Sequence, residues 1–223
     1  MNSKELKDFA GSKGVDCVGI IGPDGLGIQD KFNWARAVIV LGVYSLDENV
    51  DAILRQEYKG KKNWSKWIYE IIDGKAMKVC MLLREQGFKA LYSRQIDLRQ
   101  AAKLAGIGAA GRNQMLITPE AGPRIRLVVI MTDASLEFDK PFTQELCKDC
   151  DICIKACPNG ALSEAGFERS KCLGEFSPTP ELAARQRKTD KSLSECIRIQ
   201  CLKCMVACPV GKDLKTRPFD VTD

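Results

Sequence analysis

Apolar and polar positions alternate along the first 140 residues in two distinct rhythms. Residues 3–13 carry Leu6, Phe9 and Ala10 at helical spacing, which predicts an amphipathic helix. VDCVGII (15–21) predicts a strand that ends at the Gly-Pro-Asp-Gly turn of 22–25. ARAVIVLGVYS (35–45) is apolar enough to be a strand buried on both faces. A polar stretch without a clear strand follows to about residue 62. Trp64, Trp67, Ile68, Ile71, Ile72, Val79 and Leu83 then recur three or four apart, so 63–86 reads as one long helix with Gly74 as its weak point.

FKALYS (88–93) predicts another strand, and DLRQAAKLA (97–105) a helix that stops at Gly106. After the glycine-rich turn GIGAAGRN, the runs QMLIT and RIRLVVIMT suggest a strand pair joined by PEAGP. Helices alternating with strands place residues 1–140 in an α/β (α+β) class. DKP (139–141) marks a boundary, and residues 141–223 form a second, cysteine-rich region.

The apolar runs are strand-sized and too short to cross a bilayer. The opening MNSKELKDFA has neither an apolar signal region nor paired arginines, so a cytoplasmic protein is expected. In that reducing compartment eleven cysteines with close local spacing point to metal rather than to disulfides. Cys17 and Cys80 stand apart in apolar surroundings and read as plain buried residues. There is no histidine, which excludes His-ligated zinc or haem and imidazole acid–base chemistry.

CKDCDICIKACP supplies Cys147, Cys150, Cys153 and Cys157, followed by Pro158. This is the C-x2-C-x2-C-x3-C-P run of bacterial two-cluster ferredoxins, in which the fourth cysteine serves the other cluster. CLKCMVACP repeats its end with Cys201, Cys204, Cys208 and Pro209, but Arg198 occupies the position of the first cysteine. Crossed ligation therefore gives one 4Fe–4S cluster Cys147, Cys150, Cys153 and Cys208. It gives the other Cys157, Cys201 and Cys204, with either Cys172 or Cys196 as the fourth ligand. Structural zinc normally uses paired CxxC motifs and fits this spacing poorly. The net charge of +5 falls to about +1 once eight thiolates and two oxidised cores are counted, so basicity is no argument for a polyanion partner. The polar, basic segment 178–195 reads as a solvated surface or as a docking site for an acidic redox protein.

These motifs, together with AAKLAGIGAAGRNQMLITPEAGPRIRLVVIMTDASLE (101–137), resemble the epoxyqueuosine reductases and, more distantly, the corrinoid-dependent reductive dehalogenases. The resemblance implies a nitroreductase-related, cobalamin-binding domain followed by a bacterial-type two-cluster ferredoxin domain. It favours Cys172 over Cys196 as the lone ligand between the motifs. It places cofactor contacts in the turn at Gly108, Gly111, Arg112 and Asn113. The catalytic aspartate of the reductases falls at Tyr92 or Ser93, which makes Tyr92 the candidate proton donor.

A low-potential donor such as ferredoxin or flavodoxin is the implied partner. The chain ends at Asp223, before any C-terminal repeats of the full-length reductases, so tRNA is not an expected partner. An FMN-dependent oxidoreductase, or an electron carrier or maturation partner without a substrate of its own, are the alternative readings.

Overall fold

Asn2 opens the first helix by accepting from the Glu5 N–H at 2.9 Å, while the Glu5 carboxylate accepts from the Asn2 N–H at 2.9 Å. This capping box is written in the sequence N-S-K-E. A computed structural model of the chain describes residues 1–45, 51–58, 60–189, 192–194 and 197–214. In the first half, α1 (Ser3–Ser12) leads into strands β1 (Cys17–Ile21), β2 (Ala37–Tyr44), β3 (Ile53–Tyr58) and β4 (Lys61–Lys66). Helix α2 (Trp67–Glu85), β5 (Ala90–Ser93), α3 (Leu98–Leu104), β6 (Ala109–Ala110), β7 (Leu116–Ile117) and β8 (Ile125–Thr132) follow. Beyond residue 140 come α4 (Ile152–Lys155), β9 (Leu162–Ser163), β10 (Gly166–Phe167), α5 (Pro180–Thr189), β11 (Ser192–Ser194), β12 (Ile197–Arg198) and α6 (Lys203–Val206).

The central sheet has the order β1-β2-β8-β5, every neighbour antiparallel. Its two middle strands are buried on both faces because helices cover each side. Ile39, Leu41, Val128 and Ile130 pack with Leu6, Ile68, Ile72, Val79 and Leu83 beneath α1 and α2. The alternate residues Val38, Val40, Val129 and Met131 pack with Ala101, Ala102 and Ala105 of α3. This period-two division is what an eight-residue apolar strand between two layers requires.

Two expectations are corrected. Residues 51–66 are not a structureless approach to a helix but the hairpin β3–β4, reversed at Gly60 with φ +73°. Trp64 therefore belongs to a strand, and α2 begins only at Trp67, where its apolar stripe starts to face the sheet. Nor do QMLIT and RIRLVVIMT pair with each other. β7 pairs with β6, and β8 crosses the molecule between β2 and β5. The second four-stranded sheet has the order β11-β12-β3-β4, so strands from beyond residue 140 extend the hairpin of the first half. The segment 178–195 contains the helix α5, whose Leu182 and Gln186 are buried. Among the described residues no helix is long and apolar enough to cross a membrane.

The seat of α3 on the sheet depends on a glycine. A Cβ at Gly19 would lie 2.4 Å from the Ala105 carbonyl oxygen and 2.6 Å from its Cβ, atoms that cannot move without shifting the helix end. Gly19→Ala is expected to cost about 1–3 kcal/mol by overpacking, read as a lower urea midpoint. Gly11→Ala, in a helix with open space around it, should be neutral or stabilising.

Candidate iron–sulfur centre

The two cysteine motifs fold into the same local structure. In the first, Ile154 and Lys155 donate to the Asp151 carbonyl at 2.9 and 3.0 Å, Ala156 to Ile152 at 3.0 Å, and Cys157 to Ile154 at 3.1 Å. In the second, Met205 and Val206 donate to Leu202 at 2.9 Å each, Ala207 to Lys203 at 3.0 Å, and Cys208 to Met205 at 3.3 Å. Each motif is thus a single helical turn, α4 or α6, stopped by a Cys-Pro pair because proline cannot continue it. Asp149 takes φ +52° between Cys147 and Cys150, a left-handed turn that aspartate tolerates better than most residues.

Electrostatics sorts the thiols into two groups. The Cys153 thiol is pushed up by burial first and then by Cys147, Cys150 and Cys208. Burial pushes Cys204 up to about 12, reinforced by Cys201, Cys172, Cys157 and lastly Cys153. Cys172 is raised by burial and by Cys201 and Cys157. The thiols acting on Cys153 are Cys147, Cys150 and Cys208, and those acting first on Cys204 are Cys201, Cys172 and Cys157, which follows the crossed motifs with Cys172, the thiol that the resemblance implies, in the second group. Cys196 lies outside the described residues.

Burial among other thiols disfavours the thiolate forms of Cys153 and Cys204, and an iron–sulfur core is a group whose positive charge would offset this. Among the described residues no three Cys, Asp or Glu side chains converge as a single metal ion would need. A cubane instead spreads its thiolates over separate irons, so the donor sets fit clusters.

The second set surrounds a cavity of about 320 Å³ that Arg99, Asn113 and Met115 also line. Another cavity of about 320 Å³ shares Arg99, Met115, Gln200 and Met205 with it. Its remaining wall includes Lys66, Tyr69, Arg94, Arg126 and Phe176, making a cationic cleft with aromatic sides. Lys66 is buried against Asp51 at 3.4 Å, and Arg126 donates to the same carboxylate at 3.0 Å. Burial, and then the Arg126 charge, lower the Lys66 amine to about 8. Lys66 also donates to Gln200, the residue before Cys201, and Gln200 in turn donates to the Gly174 carbonyl.

The other candidate residues are placed unevenly. Arg112 donates to the Cys150 carbonyl at 3.0 Å and pairs with Glu164, so it bridges the glycine-rich turn to the first set. Asn113 is buried and accepts from the Met115 N–H at 3.1 Å while lining the second set's cavity. Gly108 and Gly111 serve a close approach to β7: a Cβ on them would lie 2.2 Å from the Ile117 oxygen and 2.5 Å from its side chain. Tyr92 is not brought to the site. It sits opposite Ile130 and packs into the α1–α2 side of the core, on the face of the sheet away from α3. Cys80 is fully buried, whereas Cys17 is half-buried, its thiol raised to about 12 chiefly by burial.

Sequence reasoning missed Lys66, Arg124, Gln186 and Gln200. Arg124 and Arg126 left a readable signal, since charges two apart beside an apolar strand mark buried cations. The amides left none. Gln186 donates to the Leu173 and Glu175 carbonyls at 3.0 Å each, holding the loop after Cys172.

The model of the 4Fe-4S binding domain matches residues 141–163. Epoxyqueuosine reductase of Listeria monocytogenes is 35% identical over 115 residues, 50% of this chain and 28% of that protein. The aligned part is thus under a third of that relative's length. The structure of epoxyqueuosine reductase from Streptococcus thermophilus superposes with a TM-score of 0.70 at 18% identity, covering 99% of this chain and 69% of that one. A reductive dehalogenase structure, described in connection with B12-dependent dehalogenation, gives 0.62 at 19% identity over 92% of this chain and 31% of that one.

If Cys172 completes the second set, Cys172→Ala should lose about half of the iron and acid-labile sulfide of the reconstituted protein. Cys80→Ala and Cys196→Ala should keep both; equal loss from Cys196→Ala would reverse the assignment. The chain carries a 4Fe–4S binding domain on the fold that epoxyqueuosine reductases and reductive dehalogenases share, and is related to the former in sequence.

Proposed function

We propose that this chain is an iron–sulfur reductase that passes electrons through two 4Fe–4S clusters to a cobalamin held in a nitroreductase-related domain. The observation that carries the reading is the segregation of eight thiols into two crossed sets, with the second opening onto a cationic cleft. Cys153 of the first set is close enough to influence Cys204 of the second, as a short relay requires. The first set lies beside an open groove of about 850 Å³ lined by Lys103, Phe142, Cys147 and Lys148. That groove is where a low-potential donor such as ferredoxin or flavodoxin would approach. The resemblance to proteins described as reductases and as B12-dependent supports the acceptor.

The cleft's chemistry fits the periphery of a corrinoid. Arg94 and Arg99 bring N–H donors suited to amide and phosphate oxygens, Lys66 and Arg126 add charge while held by Asp51, and Asn113 stands on the adjoining wall. A bound corrinoid would supply a strongly nucleophilic, low-potential metal centre. The chain's own part is to hold that ligand next to the second set and to provide a proton. Lys66 Nζ, with its amine lowered to about 8, is the acid in the cleft whose proton is most readily released.

Anaerobic reconstitution with iron, sulfide and hydroxocobalamin, followed by gel filtration, tests the proposal. Close to one corrinoid should co-elute per chain, with visible absorption distinct from that of the clusters alone. A protein that holds iron but no corrinoid removes the acceptor. Released flavin fluorescence in that case favours an FMN enzyme, and its absence an electron carrier.

A further inference from the structure

Arg124 stands at the start of β8 and is 5% exposed. Its guanidinium donates to four main-chain carbonyls: Val210 at 2.8 Å, Cys208 at 3.2 Å, Val206 at 3.3 Å and Ala121 at 3.5 Å. Three of these acceptors lie at the end of α6 and in the turn after it, and one is the main-chain oxygen of Cys208, a cysteine of the first set. Among the described residues no carboxylate pairs with Arg124, although Lys66, Arg94, Arg112 and Arg126 all have such partners. The carbonyls satisfy its donors but not its charge. A buried cation without a counter-charge is costly, so the fold must place negative charge nearby.

The nearest candidate is the first set itself. The guanidinium is anchored to the Cys208 carbonyl at 3.2 Å, which sets its charge beside that ligand. Four thiolates around an oxidised core leave each set at about −2 overall. The second set is held differently: its loop carbonyls accept from the neutral amides of Asn159, Gln186 and Gln200.

We propose that Arg124 is the counter-ion of the first set's cluster, a positioning residue that fixes Cys208 and raises that cluster's reduction potential above the value its thiolates alone would give. The inference rests on the reading that the first set holds a 4Fe–4S cluster. Accepting one electron makes that set one charge more negative, with no bond made or broken. A fixed cation therefore favours the reduced state.

The test uses the full chain, reconstituted anaerobically as wild type, Arg124→Gln and Arg124→Lys, with iron and sulfide counted in each. Midpoint potentials are read by EPR during titration with dithionite. Arg124→Gln is expected to lower one of two midpoints and leave the other in place, while Arg124→Lys restores most of the shift. If Arg124→Gln cannot retain the first cluster, retention of iron by Arg124→Lys carries the same conclusion. Unmoved midpoints at full iron content overturn the proposal. So does a lysine variant that behaves like the glutamine one, because charge is then not what acts. A wild-type chain that shows only one cluster fails at the parent reading instead, before any variant is compared.

Discussion

Bringing eight thiols into two tight groups is the constraint on which this molecule turns. Burial, and then the neighbouring thiols, raise Cys153 and Cys172, and push Cys204 up to about 12. Such a group is unfavourable as bare thiolates and contributes little as protonated thiols; it makes sense as the ligand shell of a cationic core. The surrounding fold is correspondingly local and stiff. α4 and α6 are single turns with matching hydrogen bonds, each ended by proline, and neither could hold its place alone.

Their positions come from the sheet. The buried strands β2 and β8 form a rigid floor, and the residues just before β8 reach out to the second motif. Gly122, at φ +57°, would put a Cβ 2.0 Å from the Val210 oxygen, and Gly211 would put one 2.3 Å from the Ala121 carbonyl carbon. Two glycines thus let two turns interlock where side chains would hold them apart. Arg124 closes the same contact from the side. Packing therefore decides where the sixth helix sits, and with it where Cys208 meets the first motif's thiols.

How much of this the sequence disclosed follows from the range of each interaction. The cysteine spacing is a local signal with a geometric cause, and seven of the eight ligands could be written down from it; the choice of Cys172 over Cys196 came only from the family resemblance. The central strands were equally legible, because a run such as AVIVLGVY has few alternatives once both faces are apolar. The β3–β4 hairpin was not. Its strands are polar, and Trp64, Trp67 and Ile68 happen to be spaced as a helix would space them. What makes it a hairpin is partly the distant strand β12, which pairs with Ile53 and Leu54. Tyr92 failed for a related reason. Alignment to a family position says nothing about the face of the strand, and its cross-strand partner Ile130 points it into the core.

The two motifs are near copies, and the functional asymmetry arises where the copy is imperfect. Arg198 stands where a cysteine would complete the second run, and the thiol found beside Cys201 and Cys204 instead is Cys172, in the loop just before Gly174. That loop is held by side-chain amides and leads, through Gln200 and Lys66, into the cleft. The complete run sends Cys157 to the second set and keeps Cys147, Cys150 and Cys153 for the first, whose Cys147 lines the open groove. A symmetric pair of clusters would give an electron no preferred direction. One set with an arginine against its backbone and an open groove, and another with neutral amides and a cationic cleft, differ in their charge surroundings and in access. The absence of a cysteine at position 198 thus matters beyond its own side chain: the thiol gathered in its place lies in a loop that connects through Gln200 and Lys66 to the cationic cleft.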